Sequence, residues 1–374
     1  MSDFIIKELV TGDINKELLN IGFDAGYSNI AAEKFRYKNV KIFDLTPAQA
    51  NIIKQTAISV GADCGTHRDV ITGGIEKSNI ILGGSYSQLN KICVKLKEQP
   101  FKLSLLADEI TTLLNQVKKK TKIVGVLNIT DNSFSDGGKY LEPVAAQKRL
   151  IELAEEGADI VDIGAESTKP YSEPVDAQIQ IERLKPILEF VQKENIEIPI
   201  SIDTRLSIVA DFVLNMGALI INDVSGFDYD KKMANVLSKY DCSVIIQHSK
   251  GTPETMQNHP HYYDTVEEIF MSLKYKIDLA NSYGIKNIII DPGIGFGKTK
   301  EDNFELINRA EEFFSLGCPL MYGISRKSLL GINDNDNQLK DSLSAAISYP
   351  LIKKGVDYLR VHNVKLHKKL LELV

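Results

Sequence analysis

Several short stretches of this chain concentrate side chains able to grip and polarise a small molecule. Asp203, Asn222 and Asp291 each close a brief apolar run. A carboxylate accepts two hydrogen bonds, and an asparagine amide both donates and accepts. Together the three suit the amino-pyrimidinone edge of a flat nitrogen heterocycle. Each could instead cap a following helix, a common task for Asp and Asn. Ser325-Arg326-Lys327-Ser328 and Arg360-Val361-His362-Asn363 bring three cations and an imidazole to two further run ends. Such a set is either solvated surface charge or a seat for phosphate. Asn128 closes the first run, and its side-chain oxygen is of the kind Mg²⁺ takes, so a diphosphate–Mg²⁺ site fits the group.

Three loops complete the inventory. Asn128 through Gly138 is polar, ends in two glycines and carries Phe134 and Asp136; its length favours a mobile lid over an ordinary turn. Asp162 through Pro170 gathers the hydroxyls of Ser167 and Thr168 with Lys169 and Pro170, a group able to bind a carboxylate or a phosphate. Asp291-Pro292-Gly293-Ile294-Gly295-Phe296-Gly297-Lys298-Thr299 superficially resembles a nucleotide-binding loop. Proline stands at 292, where the first glycine of G-x-x-x-x-G-K-[ST] belongs, so ATP binding is rejected. Its glycines read as permitting close approach to a ligand, with Phe296 lining the entrance.

These residues need a frame. Eight apolar runs follow the basic segment Lys118-Lys119-Lys120, itself read as a solvated helix end. They end at Asn128, Asp162, Asp203, Asn222 and Asp223, His248, Asp291, Ser325 and His362, with amphipathic helices such as Val144–Glu156 between them. Near-continuous apolar runs fit strands buried on both faces of a parallel sheet. Eight strand–helix units predict a TIM (β/α)8 barrel whose active site lies on the C-terminal rim; a doubly wound sheet is the alternative. Residues 1–119 read as a small α/β domain. It has helices over Pro47–Val60, with Thr46 as cap, and over Ser87–Lys97, and strands over Val40–Leu45 and Ser78–Leu82. Gly61 through Asp69 reads as a turn with a satisfied His67, in preference to a Cys64–His67 nucleophile or metal pair. Residues 120–374 are expected to form the barrel and to carry the active site on its rim.

Composition narrows the function classes. The 374 residues include 44 Lys and Arg against 50 Asp and Glu, a net charge of −6, so a nucleic-acid partner is not expected. Hydrophobic residues at 43% and charged residues at 25% fit an ordinary globular protein. Cys64, Cys93, Cys242 and Cys318 form no C-x-x-C pair and read as reduced thiols. The N-terminus does not read as a signal peptide, and no apolar run reaches the ~20 residues of a spanning helix. A cytoplasmic protein with no membrane partner is expected.

In their order and spacing, the stretches from residue 120 onward resemble dihydropteroate synthase. They are Val126 through Gly138, Gly157 through Pro170, Ile202-Asp203-Thr204, Ile221 through Gly226, His248 with Gly251 through Gln257, Asp291 through Thr299, Ser325 through Ser328, and Arg360-Val361-His362. The resemblance implies condensation of 6-hydroxymethyl-7,8-dihydropterin pyrophosphate with para-aminobenzoate. It implies that Asp203, Asn222, Asp291 and Lys327 hold the pterin. Asn128, Arg360 and His362 hold the diphosphate, with Asn128 on Mg²⁺. Ser167, Thr168, Pro170, Phe296 and Ser328 form the aminobenzoate pocket, with Lys169 beside them. Asp136 supports developing positive charge; Asp203 and Lys327 count with it as catalytic. A homodimer is implied too, and sulfonamides become candidate inhibitors. Lys169 replaces the usual Arg, Asp131-Asn132 the usual Pro-Asp, Ala165 a Gly and Asn363 an Asp. No kinase or aldolase signature marks residues 1–119, for which a structural or assembly role is expected. A pterin-binding methyltransferase domain and a non-catalytic pterin-binding protein are the alternatives.

Overall fold

The structure is a computed structural model that describes residues 5–10, 12–130, 142–166, 174–251, 260–332 and 336–374. The chain divides into two compact units, Met1–Val117 and Lys118–Val374. Lys118–Lys120 is exposed and non-helical, four residues beyond the helix that ends at Leu114, so the expected helix end is not formed there.

In the first unit β1 (Tyr37–Leu45), β2 (Asp63–Thr66) and β3 (Ser78–Ser85) form an antiparallel sheet in the order β1-β3-β2. Helices Pro47–Ile58, Tyr86–Leu96 and Leu103–Leu114 pack Ile53, Leu89, Ile92 and Ile110 onto Ile42, Ile80 and Leu82. Thr46 and Gln49 cap the first of these helices reciprocally, with Pro47 at its first position. The stretch read as a turn is corrected, because Asp63–Thr66 is strand β2. Cys64 is buried in it, and burial pushes its thiol up to about 11, which removes it as a nucleophile at neutral pH. His67 Nδ1 accepts from the Asp69 N–H at 3.2 Å and lies 3.7 Å from the Asp69 carboxylate, opening a single 3₁₀ turn.

In the second unit eight strands pair in parallel: β4 (Lys122–Asn128), β5 (Ile160–Gly164), β6 (Ile200–Asp203), β7 (Ile220–Asp223), β8 (Ser243–Gln247), β9 (Asn287–Asp291), β10 (Met321–Tyr322) and β11 (Tyr358–Val361). β11 pairs back onto β4. One bridge, Ile290 to Leu320, links β9 to the start of β10, with the Ile290 N–H donating to the Pro319 carbonyl at 2.9 Å. The ring is closed, as in a TIM barrel, and the doubly wound alternative falls. Helix Pro143–Glu155 lies one residue from its expected place. The end expected at Asp162 is corrected, because β5 continues to Gly164 and leaves Asp162 in mid-strand.

Alternation along the strands decides which residues face the barrel interior. Val124, Ile160, Ile220, Ile245, Ile289 and Met321 form one apolar cluster, with Tyr358 against it. Two residues further along five of those strands stand Asp162, Asn222, Gln247, Asp291 and Arg360, on the same face. Asp203 joins them, since it pairs in register with Gly164 and Asn222. The barrel thus has an apolar floor and a polar layer above it. The intervening residues, among them Ile163, Ile202, Ile221, Ile246 and Ile290, pack outward with the helices in the main core.

Candidate active site

The polar layer converges on Arg360. Its Nε donates to Asp162 Oδ2 at 2.6 Å and its Nη2 to Asp203 Oδ2 at 2.9 Å. Asn222 Nδ2 donates to the same Asp162 oxygen at 3.0 Å. Asp162 Oδ1 and Asn222 Oδ1 are buried and have no partner. Burial pushes the Asp203 carboxyl up to about 7; Arg360 opposes this, and Asp162, Glu166 and Asp223 add to it. Asp291 is also raised by burial, against Lys327, while its Oδ1 accepts the Gly293 N–H at 2.7 Å. Lys327 reaches back to the Ile294 carbonyl at 2.6 Å and lies 4.6 Å from the centre of the Phe296 ring. Burial lowers its ammonium to about 8. The structure therefore brings Asp203, Asn222, Asp291, Lys327 and Arg360 to one mouth. It adds Asp162, which the sequence placed on the rim without a role. Its signal was parity, since it stands two residues beyond the inward Ile160.

On the neighbouring arc, His362 Nδ1 lies 3.0 Å from Ser325 Oγ, which also accepts the His362 backbone N–H at 3.2 Å. Asn128 Oδ1 stands over Gly164, where a Cβ would meet it at 3.2 Å. Ser328 is exposed and Phe296 half-buried. Arg326 is a correction to the expected cluster of three phosphate cations. Its guanidinium grips Asp341 with Nε at 2.7 Å and Nη2 at 2.9 Å.

Residues outside this inward layer do other work. Asp223 accepts from the Ser225 N–H, the Ser225 hydroxyl and the Phe227 N–H, and so shapes the loop after β7. Lys298 is buried with Nζ 3.0 Å from His248 Nδ1 and donating to the Phe296 carbonyl at 2.9 Å, so it is turned inward rather than toward a phosphate. The reading of the glycines here is corrected as well. A Cβ at Gly293 (φ 74°) would run into the His248 carbonyl, and one at Gly297 (φ 65°) into the Lys250 carbonyl, so both serve backbone-to-backbone packing of two loops.

Sequence reasoning missed a clamp at the second loop. Glu166 Oε1 accepts from Arg205 Nη2 at 2.8 Å and from the Val175 N–H at 3.1 Å, and its Oε2 accepts from Arg205 Nε at 3.3 Å and Gln180 Nε2 at 3.4 Å. Gln180 Oε1 in turn accepts from the Thr204 hydroxyl, next to Asp203. One carboxylate so joins the residue before the loop, the residues after it and the end of β6. Nothing in its spacing marked Glu166. The expected site residues Asp136, Ser167, Thr168, Lys169 and Pro170 lie outside the described residues.

The span of this closed barrel and its inward polar layer, residues 124–362, matches the pterin binding enzyme family. A Clostridium beijerinckii dihydropteroate synthase is 40% identical over 253 residues, covering 66% of this chain and 91% of that protein. The Helicobacter pylori bifunctional dihydropteroate synthase/dihydropteroate reductase is 33% identical over 378 residues, covering 99% of this chain and 98% of its own length. The chain spans only 40% of a longer Haloferax volcanii relative, a probable bifunctional folylpolyglutamate synthase/dihydropteroate synthase, at 32% identity. Among solved structures, the Clostridium difficile dihydropteroate synthase in the presence of pteroic acid matches with a TM-score of 0.62 and 36% identity over 68% of this chain and 96% of that one. The chain belongs to the dihydropteroate synthases.

Proposed function

We propose that the barrel condenses 6-hydroxymethyl-7,8-dihydropterin pyrophosphate with para-aminobenzoate, giving 7,8-dihydropteroate and pyrophosphate in folate biosynthesis. One observation supports this reading above the others. Buried acceptors on Asp162 and Asn222 stand unpaired beside Asp203 and Asp291, an acceptor-rich set suited to the N–H groups of a pterin edge. Asp203, Asn222 and Asp291 orient the ring, with Lys327 against it. Arg360 and His362 take the diphosphate. The carbon–oxygen bond from the pterin methylene to the diphosphate breaks, and its electron pair leaves with the diphosphate. The aryl nitrogen then attacks the electron-poor methylene and loses a proton. Positioning and charge stabilisation carry this sequence, with no strong base among the residues assigned.

Mg²⁺ fits the donor set on the diphosphate side. Among the described residues no cluster of three or more His, Cys, Asp or Glu could hold a metal, and Asn128 offers one oxygen. Few protein ligands suffice for Mg²⁺, which would draw the rest from water and substrate phosphate oxygens. Bound there, it would neutralise charge on the diphosphate. Ser167, Thr168, Pro170, Phe296 and Ser328, with Lys169, form the aminobenzoate pocket in this reading, and Asp136 supports positive charge on the methylene. A homodimer in the cytoplasm completes it. No helix among the described residues is long and apolar enough to cross a membrane.

The test mixes the purified chain with the dihydropterin pyrophosphate, para-aminobenzoate and Mg²⁺. Pyrophosphate release that requires aminobenzoate is the expected result. Tight pterin binding without release would overturn it in favour of a non-catalytic or methyltransferase protein.

A second activity has one observation in its favour, the end-to-end match to the Helicobacter pylori relative named for both synthase and reductase activities. In this reading the chain also reduces dihydropteroate, taking two electrons from a reduced nicotinamide or flavin and adding two hydrogens to the pterin ring. Mass spectrometry of the product with and without the reductant decides it. Product that stays at the mass of dihydropteroate leaves the first unit the structural or assembly role expected of it.

A further inference from the structure

The segments carrying Lys327 and His362 meet on a third element, helix Asn337–Lys354. Asp341, Ser344 and Ser348, spaced i, i+3 and i+7, make one of its faces both polar and buried. Asp341 holds Arg326 in the two-pronged pair described above, and its Oδ2 also accepts from Asn363 Nδ2 at 3.2 Å. Ser344 Oγ accepts the Arg326 backbone N–H at 3.2 Å, and Ser348 Oγ meets His367 Nε2 at 3.3 Å. Arg326 sits at φ 59°, in the left-handed region that a branched or long side chain adopts only under constraint. Three bonds to this helix, two from its side chain and one from its backbone, hold that turn, and the next residue, Lys327, folds back to Ile294. Asn363 uses both ends of its amide. Its Oδ1 caps the Leu366 N–H at 3.0 Å while its Nδ2 reaches Asp341. An aspartate at 363 could make the cap but would face the Asp341 carboxylate.

We propose that Asp341 is a positioning residue for the pterin diphosphate: it fixes Arg326 and Asn363 so that their neighbours Lys327 and His362 address one substrate. The carboxylate acts through the residues it holds and does not touch the substrate. The inference rests on the roles given above to Lys327 and His362.

Asp341→Asn keeps the size and removes the charge. The KM for the dihydropterin pyrophosphate is expected to rise about tenfold, short of the ~100-fold that a 1 Å misplacement brings. The KM for para-aminobenzoate should stay within about twofold. Affinity for inorganic pyrophosphate, measured by calorimetry, should fall in parallel with the first. Combining Asp341→Asn with Asn363→Asp returns one carboxylate to the network and restores both values. Equal rises in the two KM values would overturn the proposal, as would unchanged pyrophosphate affinity in the folded variant. Should Asp341→Asn fail to fold, Asn363→Asp alone decides. Two facing carboxylates should weaken pyrophosphate binding about threefold, and no change would overturn the proposal. If the unsubstituted chain releases no pyrophosphate on turnover, the assigned reaction fails, while the pyrophosphate titration still judges the network.

Discussion

Two polar clusters of the barrel unit each join carboxylate, guanidinium and amide groups, and they differ in completeness. Around Glu166, both carboxylate oxygens are occupied by Arg205, Gln180 and the Val175 N–H, and Gln180 is engaged at both ends. Around Arg360, Asp162 Oδ1 and Asn222 Oδ1 remain unpaired although buried. A buried acceptor without a donor costs about 1–3 kcal/mol. A folded chain retains that cost where an incoming molecule brings the missing donors. The closed cluster holds position, and in the proposed reading the open one meets its donors on the ligand. Parity places the open one: inward residues have no helix to pair with, whereas Glu166 follows its strand and finds partners on two neighbouring segments.

This contrast can be broken from either side. Glu166→Ala leaves Arg205 buried and unpaired, so about 3–5 kcal/mol of stability should be lost in a denaturant titration. A loss under 1 kcal/mol, roughly the value of an exposed pair, would show the clamp to be idle. Lys327→Ala strikes the open cluster, where kcat/KM should fall about 10²–10³-fold while the melting temperature barely moves. Equal damage to both quantities would erase the distinction.

The pH dependence sharpens it. Asp203, raised to about 7, keeps a proton in the folded state that the unfolded chain gives up near about 3.9. The native state therefore binds more protons between those values, and this group's contribution to unliganded stability falls as pH rises through the interval. Pterin affinity should move oppositely, because the ionised carboxylate accepts the ligand's N–H groups, changing at most about tenfold per pH unit. Lys327, lowered to about 8, loses its charge above that value. A bell-shaped kcat/KM profile follows, with limbs near about 7 and about 8 that belong jointly to these coupled groups. A flat profile from about pH 5 to 10 would count against the open cluster as the site. The smallest effect is expected of Phe296→Leu. It removes the ring beneath Lys327 and should raise a KM about two- to fivefold, the worth of one cation–π contact.

Much of the barrel was legible because strands buried on both faces are written as unbroken apolar runs. β6, β7, β8 and β9 end where Asp203, Asp223, His248 and Asp291 suggest, to within one residue. β10 shrank to Met321–Tyr322 although the apolar run spans 319–324, since register against its neighbours, rather than hydrophobicity, sets a strand's length. Asp162 was mistaken for an end because a charged residue in mid-strand becomes sensible only once Arg360, almost 200 residues later, is known to lie beside it. Arg326 and Arg360 look alike in sequence, and only the place of their aspartate partners separates them: Asp341 on a helix for the first, Asp162 and Asp203 on barrel strands for the second. The buried polar face of helix Asn337–Lys354 defeats any search for apolar periodicity. In the first unit β2 was hidden by Gly61, Gly65 and three charged residues in a short stretch that reads as a turn.

β10 is the thinnest stave of the barrel, and a single bridge joins it to β9. In amide hydrogen exchange the Ile290 N–H should therefore be among the first of the interior strand amides to report opening of the ring. Asp291 follows that amide directly, and Lys327 lies just beyond the stave on the other side of the seam. A pterin held between them would span the joint, so ligand affinity and ring closure become two readings of one equilibrium. The substrate would brace that joint of the barrel as well as occupy its mouth.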